Sequence, residues 1–218
     1  MASLPQHLMA TPVGRERLPR EVRAGYQRDR VLAAAIEVFA KRGYQGTTVD
    51  HVVSAARIGV GSFYSIFDGK EDCFLAAYDR IVTAGRERIA AAQPPGGAWS
   101  DHVAAGLRTL LELIAADPLA ARVALVEAQA AGDAALARHE RNLDDVADFL
   151  RLGRAASAIA EELPATLEFA TVGGLTWLLQ QRIATGENAP DDLFPEVLEI
   201  VVEPYLGEAR TAELAARF

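Results

Sequence analysis

The chain has 218 residues, half of them hydrophobic and 24% charged, with a net charge of −8 and one cysteine. That composition supports a packed core and excludes wholesale disorder, and a lone cysteine excludes an internal disulfide and a multi-cysteine zinc site. Divided at residue 70, the charge is +4 on the first part and −12 on the rest, which is either a local polyanion-binding region or chance placement. No stretch approaches 18 uninterrupted apolar residues, so no membrane span is expected. The start of the chain lacks a basic segment followed by a long apolar one, so the expected location is the cytoplasm.

Residues 1–20, with Pro5, Pro12, Gly14 and Pro19, read as a flexible basic arm. It carries Arg15, Arg17 and Arg20, with Arg23 at its junction with the first helix. Such an arm either enters a minor groove or attracts any polyanion weakly. Beyond it helical periodicity dominates and strand-like alternation is nearly absent, so the fold class is all-α. A first helix over 21–41 places Val31, Ala35, Val38 and Phe39 on one face and stops at Gly43. Short helices follow at 49–56 and 60–67. A helix over 69–92 would span about 36 Å at 1.5 Å per residue. Cys73 lies in its apolar pattern with Phe74, Ala77 and Tyr78 and reads as core, and the helix ends at Pro94-Pro95-Gly96-Gly97. Further helices are predicted at 99–116, 118–130, 133–160, 164–186 and 191–206, with a short tail after Gly207.

The stretch from Gly43 to Glu71 carries the most information. Either Thr47 or Thr48 can cap the next helix, and Thr47-x-x-Asp50 approximates a capping box. Val49, Val52, Val53 and Ala56 form a short apolar stripe. Arg57-Ile58-Gly59 fits a tight turn with Ile58 plugging the angle between two helices. In the helix that follows, Val60, Phe63, Ile66 and Phe67 share one side and should pack inward. The other side presents Gly61, Ser62, Tyr64 and Ser65. A glycine within a helix costs roughly 1 kcal/mol against alanine, a cost that makes sense where a helix must lie close to a DNA strand. Hydroxyls at Ser62, Tyr64 and Ser65 suit phosphates and base edges. Lys70, at the start of the long helix, puts an ammonium near free backbone N–H groups.

This stretch resembles the TetR family of transcriptional regulators. Gly43, Tyr44, Thr47, Thr48, Val49, Ala56, Gly61, Tyr64, Phe67, Lys70 and Glu71 match its signature without gaps, and Val52, Val53 and Ile58 are apolar substitutes. Two positions depart from it. Arg57 replaces a turn glycine, at roughly 1–2 kcal/mol if the backbone there is left-handed, and Gly59 replaces a capping serine. Arg57 then either reaches a phosphate or is an ordinary solvated turn residue. The recognition side also lacks Arg, Asn and Gln, so direct base readout should be sparse.

The resemblance implies a three-helix helix-turn-helix domain over 21–69 and a larger helical effector-binding and dimerisation domain over 70–218. It implies a regulator, most often a repressor, that binds a palindromic DNA operator as a homodimer and is released by a small-molecule effector. Thr47, Thr48, Tyr64 and Lys70 would contact phosphates, with Arg57 as an open case, and Gly61, Ser62 and Ser65 would lie against base edges. Dimerisation would use the last two long helices. Their apolar residues Leu167, Thr171, Gly174, Leu175 and Leu178, then Phe194, Val197, Leu198 and Val201, either meet a second chain or face the chain's own core. The dimer is the preferred reading. Trp99, His102, Glu127, His139, Phe149 and Trp177 are polar or aromatic residues on apolar helices that could line an effector cavity. Glu127 with His139 is the best acid–base pair available, and nothing in their spacing unites them, so no enzyme activity, cofactor or metal is expected.

Overall fold

A computed structural model of the protein describes residues 20–186 and 190–218. Arg15 and Arg17 lie outside these residues, as do the side chains of Arg20 and Arg23. The described residues form ten α-helices and no strand: α1 (Arg20–Arg42), α2 (Val49–Ala56), α3 (Val60–Tyr64), α4 (Lys70–Ala91), α5 (Trp99–Ala116), α6 (Pro118–Leu125), α7 (Asp133–Arg151), α8 (Leu167–Thr185), α9 (Pro190–Leu206) and α10 (Glu208–Ala215). Three expected helices are shorter than their periodicity suggested. The third stops at Tyr64, and the segments after α6 and α7 tighten into 3₁₀ turns at Glu127–Ala130 and Leu152–Ala156. The tail after Gly207 is helical, because Thr211 and Leu214 are buried on the inner face of α10.

Two apolar cores organise these helices. The first joins Val31, Ala35 and Phe39 of α1 to Val52, Val53 and Ala56 of α2, to Phe63 and Phe67, and to Cys73, Phe74 and Tyr78 of α4. It also takes in Val123, Ala128, Ala131 and Ala135, so the N-terminal head shares its interior with α6, the turn after it and the start of α7. The second core lies between α5, α7, α8 and α9, with Leu107, Leu111, Leu150, Val172, Leu179, Phe194, Val197, Leu198 and Val201. The first half of α4 lines the first core. Its far end approaches α5, where Ile89 Cγ2 lies 3.6 Å from the place a Cβ on Gly106 would occupy. Cys73 is fully buried, and burial pushes its thiol up to about 12, so it stays a protonated packing group.

Arg57 ends α2 with φ 52° and ψ 53°, and among the described residues it is the sole non-glycine at positive φ. The glycine-to-arginine departure left the turn geometry open, and the structure makes it left-handed. Relief of this strain exceeds the extra unfolded-state freedom of glycine, so Arg57→Gly should raise the thermal midpoint by roughly 2–4 °C. An unchanged or lower midpoint in a thermal melt would refute a strained turn.

Candidate nucleic-acid interface

The head is built so that α3 stands at its surface on a small buried base. Val52, Val53 and Ala56 turn inward from α2, and Phe63 and Phe67 meet them, their rings 5.5 Å apart. The connecting turn is closed by backbone bonds from Arg57 N–H to Ser54 O and from Ile58 N–H to Val53 O, both 3.2 Å. Arg30 ties α1 to this turn by donating to Ala56 O at 2.8 Å, and the Arg28 guanidinium lies 4.7 Å over the Phe67 ring. The sequence reading missed both arginines. Their signal was available, as two cations two residues apart on a helix that enters the head.

Thr48, not Thr47, caps α2. Its hydroxyl accepts from His51 N–H at 3.4 Å, and its own N–H donates to His51 Nδ1 at 3.2 Å. The expected Thr47–Asp50 box does not form, because the helix begins at Val49 and its third residue is His51. Thr47 is 1% exposed and donates to Gly43 O at 2.7 Å, so it closes the turn after α1 and is turned away from any phosphate. Val60 also departs from its assigned side. It is 46% exposed, whereas Phe63 and Phe67 are buried and Ile66 is partly so.

The outer side of α3 therefore carries Val60, Gly61, Tyr64 and Ser65, with Ser62 half-buried beside them. Tyr64 is 54% exposed and sits edge-on to Phe63 at 5.4 Å. Ser65 donates its hydroxyl to Ser62 O at 2.8 Å. No atom approaches within 4 Å of a Cβ placed on Gly61, so nothing inside the protein requires glycine there. Gly59 precedes the helix without a side-chain cap, as its departure from the family pattern implied. Arg57 is exposed. Lys70 is more committed than expected. Its ammonium donates to Tyr44 O at 3.0 Å and lies 4.2 Å over the Tyr44 ring, leaving two N–H groups.

The proposed effector residues occupy several places. Trp99 donates its indole N–H to Phe149 O at 3.1 Å and meets Tyr205 edge-on at 4.9 Å. A Cβ on Gly153 would fall inside the indole, so this close approach depends on glycine. His102 Nε2 lies 3.1 Å from Pro94 O in the α4–α5 connection. Glu127 is nearly buried, accepts from Tyr44 N–H at 2.9 Å and faces Arg122 at 3.4 Å, so it ties the turn after α6 to the turn after α1. His139 Nδ1 lies 3.5 Å from the Tyr78 hydroxyl, and its buried Nε2 has no partner. Burial holds the His139 pKa below its ordinary value and pushes Tyr78 up to about 12. Trp177 is 62% exposed on α8. Among the described residues, no hydrogen bond or ring contact joins these six except that between Trp99 and Phe149. Glu127 and His139 turn to different partners and form no acid–base pair.

The candidate interface residues on the last long helices separate by face. Phe194, Val197, Leu198 and Val201 are buried in the chain's own core, as is Thr171, while Leu167, Leu175 and Leu178 are partly covered. These α9 residues therefore cannot present an outward surface. α5 and α8 of the same chain already cover that stripe. The outward side of the pair carries Phe169, Gly173, Gly174 and Trp177 on α8 and Ile200 on α9.

One polar cluster escaped the sequence reading. Glu168 is fully buried, and Arg154 donates to its two carboxylate oxygens at 2.7 and 3.1 Å while Tyr205 donates at 3.1 Å. A carboxylate within the apolar run of α8 was the available signal, since such a group needs a partner.

The family model described as "Bacterial regulatory proteins, tetR family" matches residues 31–77. The HTH-type transcriptional activator FasR of Mycolicibacterium smegmatis is 30% identical over 110 residues, covering 44% of this chain and 48% of that protein. The chain spans less than half the length of the curated relatives it matches by sequence. A TetR-like transcriptional regulator from Rhodococcus sp. RHA1 aligns with a TM-score of 0.67 at 22% identity, over 88% of this chain and all of that one. The regulator FadR from Bacillus subtilis, solved in complex with stearoyl-CoA, aligns with a TM-score of 0.65 at 18% identity, over 83% and 98% of the two chains. At these identities the likeness of the structures establishes the fold.

Proposed function

We propose, from the match of residues 31–77 to the tetR family of bacterial regulatory proteins, a cytoplasmic repressor that binds a palindromic operator as a homodimer and releases it on binding a small effector. The observation that carries this reading is the outer side of α3. It combines an exposed Tyr64 with a Gly61 that no internal contact requires. A glycine free of packing duty lets the helix backbone lie close to a major-groove edge. Tyr64, Thr48 and the remaining N–H groups of Lys70 would fix the register on phosphates, with Arg28 and Arg57 adding positive charge. Residues 21–69 would serve DNA and residues 70–218 would serve effector binding and assembly.

Dimerisation is assigned to the outward sides of α8 and α9. Exposed Phe169, Trp177 and Ile200 beside Gly173 and Gly174 suit close packing of four helices. The two recognition helices would then meet half-sites about 34–36 Å apart, or a multiple of that. Release would follow a tilt of α4, which lines the first core and approaches α5 at its far end. This requires the effector to bind the DNA-incompetent state more tightly. Stearoyl-CoA is the first effector to test, because the FadR structure was solved with it.

The decisive experiment is selection from a random duplex library, followed by salt titration of the winner beside a scrambled sequence. The expected winner is palindromic and bound about 10³-fold more tightly than the scramble. Equal binding to both, with the same steep salt dependence, would mean that only charge is read and would overturn the proposal.

A further inference from the structure

Val60 opens α3 with its branched apolar side chain half in solvent, although periodicity groups it with the buried Phe63 and Phe67. Residues four apart share a helix face, so Val60 stands beside Tyr64 and Gly61 beside Ser65. That face is short of groups able to read a base. Gly61 has no side chain, and the Ser65 hydroxyl is engaged with Ser62 O. Arg, Asn and Gln, which make bidentate contacts to guanine or adenine, are absent from α3. The groups that reach outward are the Tyr64 hydroxyl, the hydroxyl of half-buried Ser62 and the Val60 isopropyl, of which the isopropyl alone is aliphatic.

An isopropyl group can distinguish only one feature of a major-groove edge. Guanine, adenine and cytosine present polar donors and acceptors there, whereas thymine adds a 5-methyl group. Covering an exposed valine against that methyl removes apolar surface from water on both sides. The open space around the neighbouring Gly61, where a Cβ would meet nothing within 4 Å, favours the approach. We propose that Val60 is a specificity-determining residue that selects thymine in each half-site by apolar contact with its 5-methyl group. This inference rests on the DNA-binding reading above.

The test uses the full chain and its selected operator. Each thymine is replaced in turn by deoxyuridine, which removes only the methyl group, and the Kd is measured. One symmetry-related pair of positions should weaken binding by about fivefold per half-site. In Val60→Ser the same replacement should leave the Kd unchanged, and in Val60→Ala its cost should shrink, because a lone methyl covers less of the thymine methyl. Both variants change an exposed residue, and unchanged helix content by circular dichroism verifies that they fold. Indifference of the natural chain to every replacement overturns the inference, as does a loss that persists undiminished in Val60→Ala. In both cases a selected site still exists and the DNA-binding reading stands. If selection yields no preferred site, that reading fails and the inference falls with it.

Discussion

Arg154→Ala should lower the thermal midpoint by on the order of 10 °C, a large effect for one partly exposed side chain. Arg154 holds Glu168 through two bonds from its guanidinium, and Tyr205 supplies a third. Glu168 has no contact with solvent. Removing the arginine leaves a buried carboxylate with neutral donors alone, the Tyr205 hydroxyl and its own backbone N–H, which is the costly way to break such a pair. It also frees the carbonyls of Leu163 and Pro164, to which Arg154 donates at 3.2 and 2.5 Å. The connection between α7 and α8 would loosen with it. Replacing both partners by apolar groups is a different matter. Arg154→Met with Glu168→Leu should recover most of the loss, because no charge is then left stranded. A double variant as unstable as Arg154→Ala would show that the bonds to the connection matter more than the carboxylate.

The same cluster gives stability a pH dependence of definite sign. Burial pushes the Glu168 carboxyl up, but the bond from Arg154, its own backbone N–H, the Tyr205 hydroxyl and the arginine charge together hold it below its ordinary value. A carboxyl with a lowered folded pKa contributes stability fully above the ordinary glutamate pKa and loses it as pH falls through the folded value. In Arg154→Ala burial is opposed by the backbone N–H and the Tyr205 hydroxyl alone, so the carboxyl is protonated more readily than in the natural chain. The gap in midpoint between the natural chain and Arg154→Ala should therefore narrow as the pH is lowered through the carboxylate range. A gap that stays constant across that range would refute the assignment.

Phe63→Ala should be comparably severe and should strike DNA binding first. α3 has only five residues and no side-chain cap. A helix this short has no stability of its own in water, since nucleation costs more than so few bonds return. Its order comes from Phe63, which is fully buried, and from Phe67 beside it. Truncating a buried phenylalanine costs about 3–5 kcal/mol. Much of that should appear as local loosening of α3, so faster amide exchange is expected over residues 60–67, with less change at Phe39 and Phe74. Operator affinity should fall with it, because the recognition surface must be reordered on binding. Native affinity in a folded Phe63→Ala chain would mean that α3 is not the reading element.

The helix-turn-helix was legible because its signals are local. The stripe Val52, Val53 and Ala56, the inward Phe63 and Phe67, and the helix ends at Gly43 and near Pro94 follow from spacing and from residues with restricted or permissive backbones. Each of these depends on atoms within a few residues, so a sequence by itself determines them.

Only the tertiary structure decided what covers each stripe. Periodicity identifies an apolar face on α9 at Phe194, Val197, Leu198 and Val201, yet it cannot tell a partner chain from the chain's own α5 and α8. That choice depends on how the connections fold back, which residue spacing does not specify. Val60 shows the same limit at smaller scale. It belongs to the inward side by angle, but α3 begins there, beyond the reach of the helices that cover Phe63. Glu168 needed a cation, and the one that answers, Arg154, lies across an irregular connection that brings it back to α8. Local interactions repeat along the chain and can be counted, whereas burial depends on distant segments arriving together.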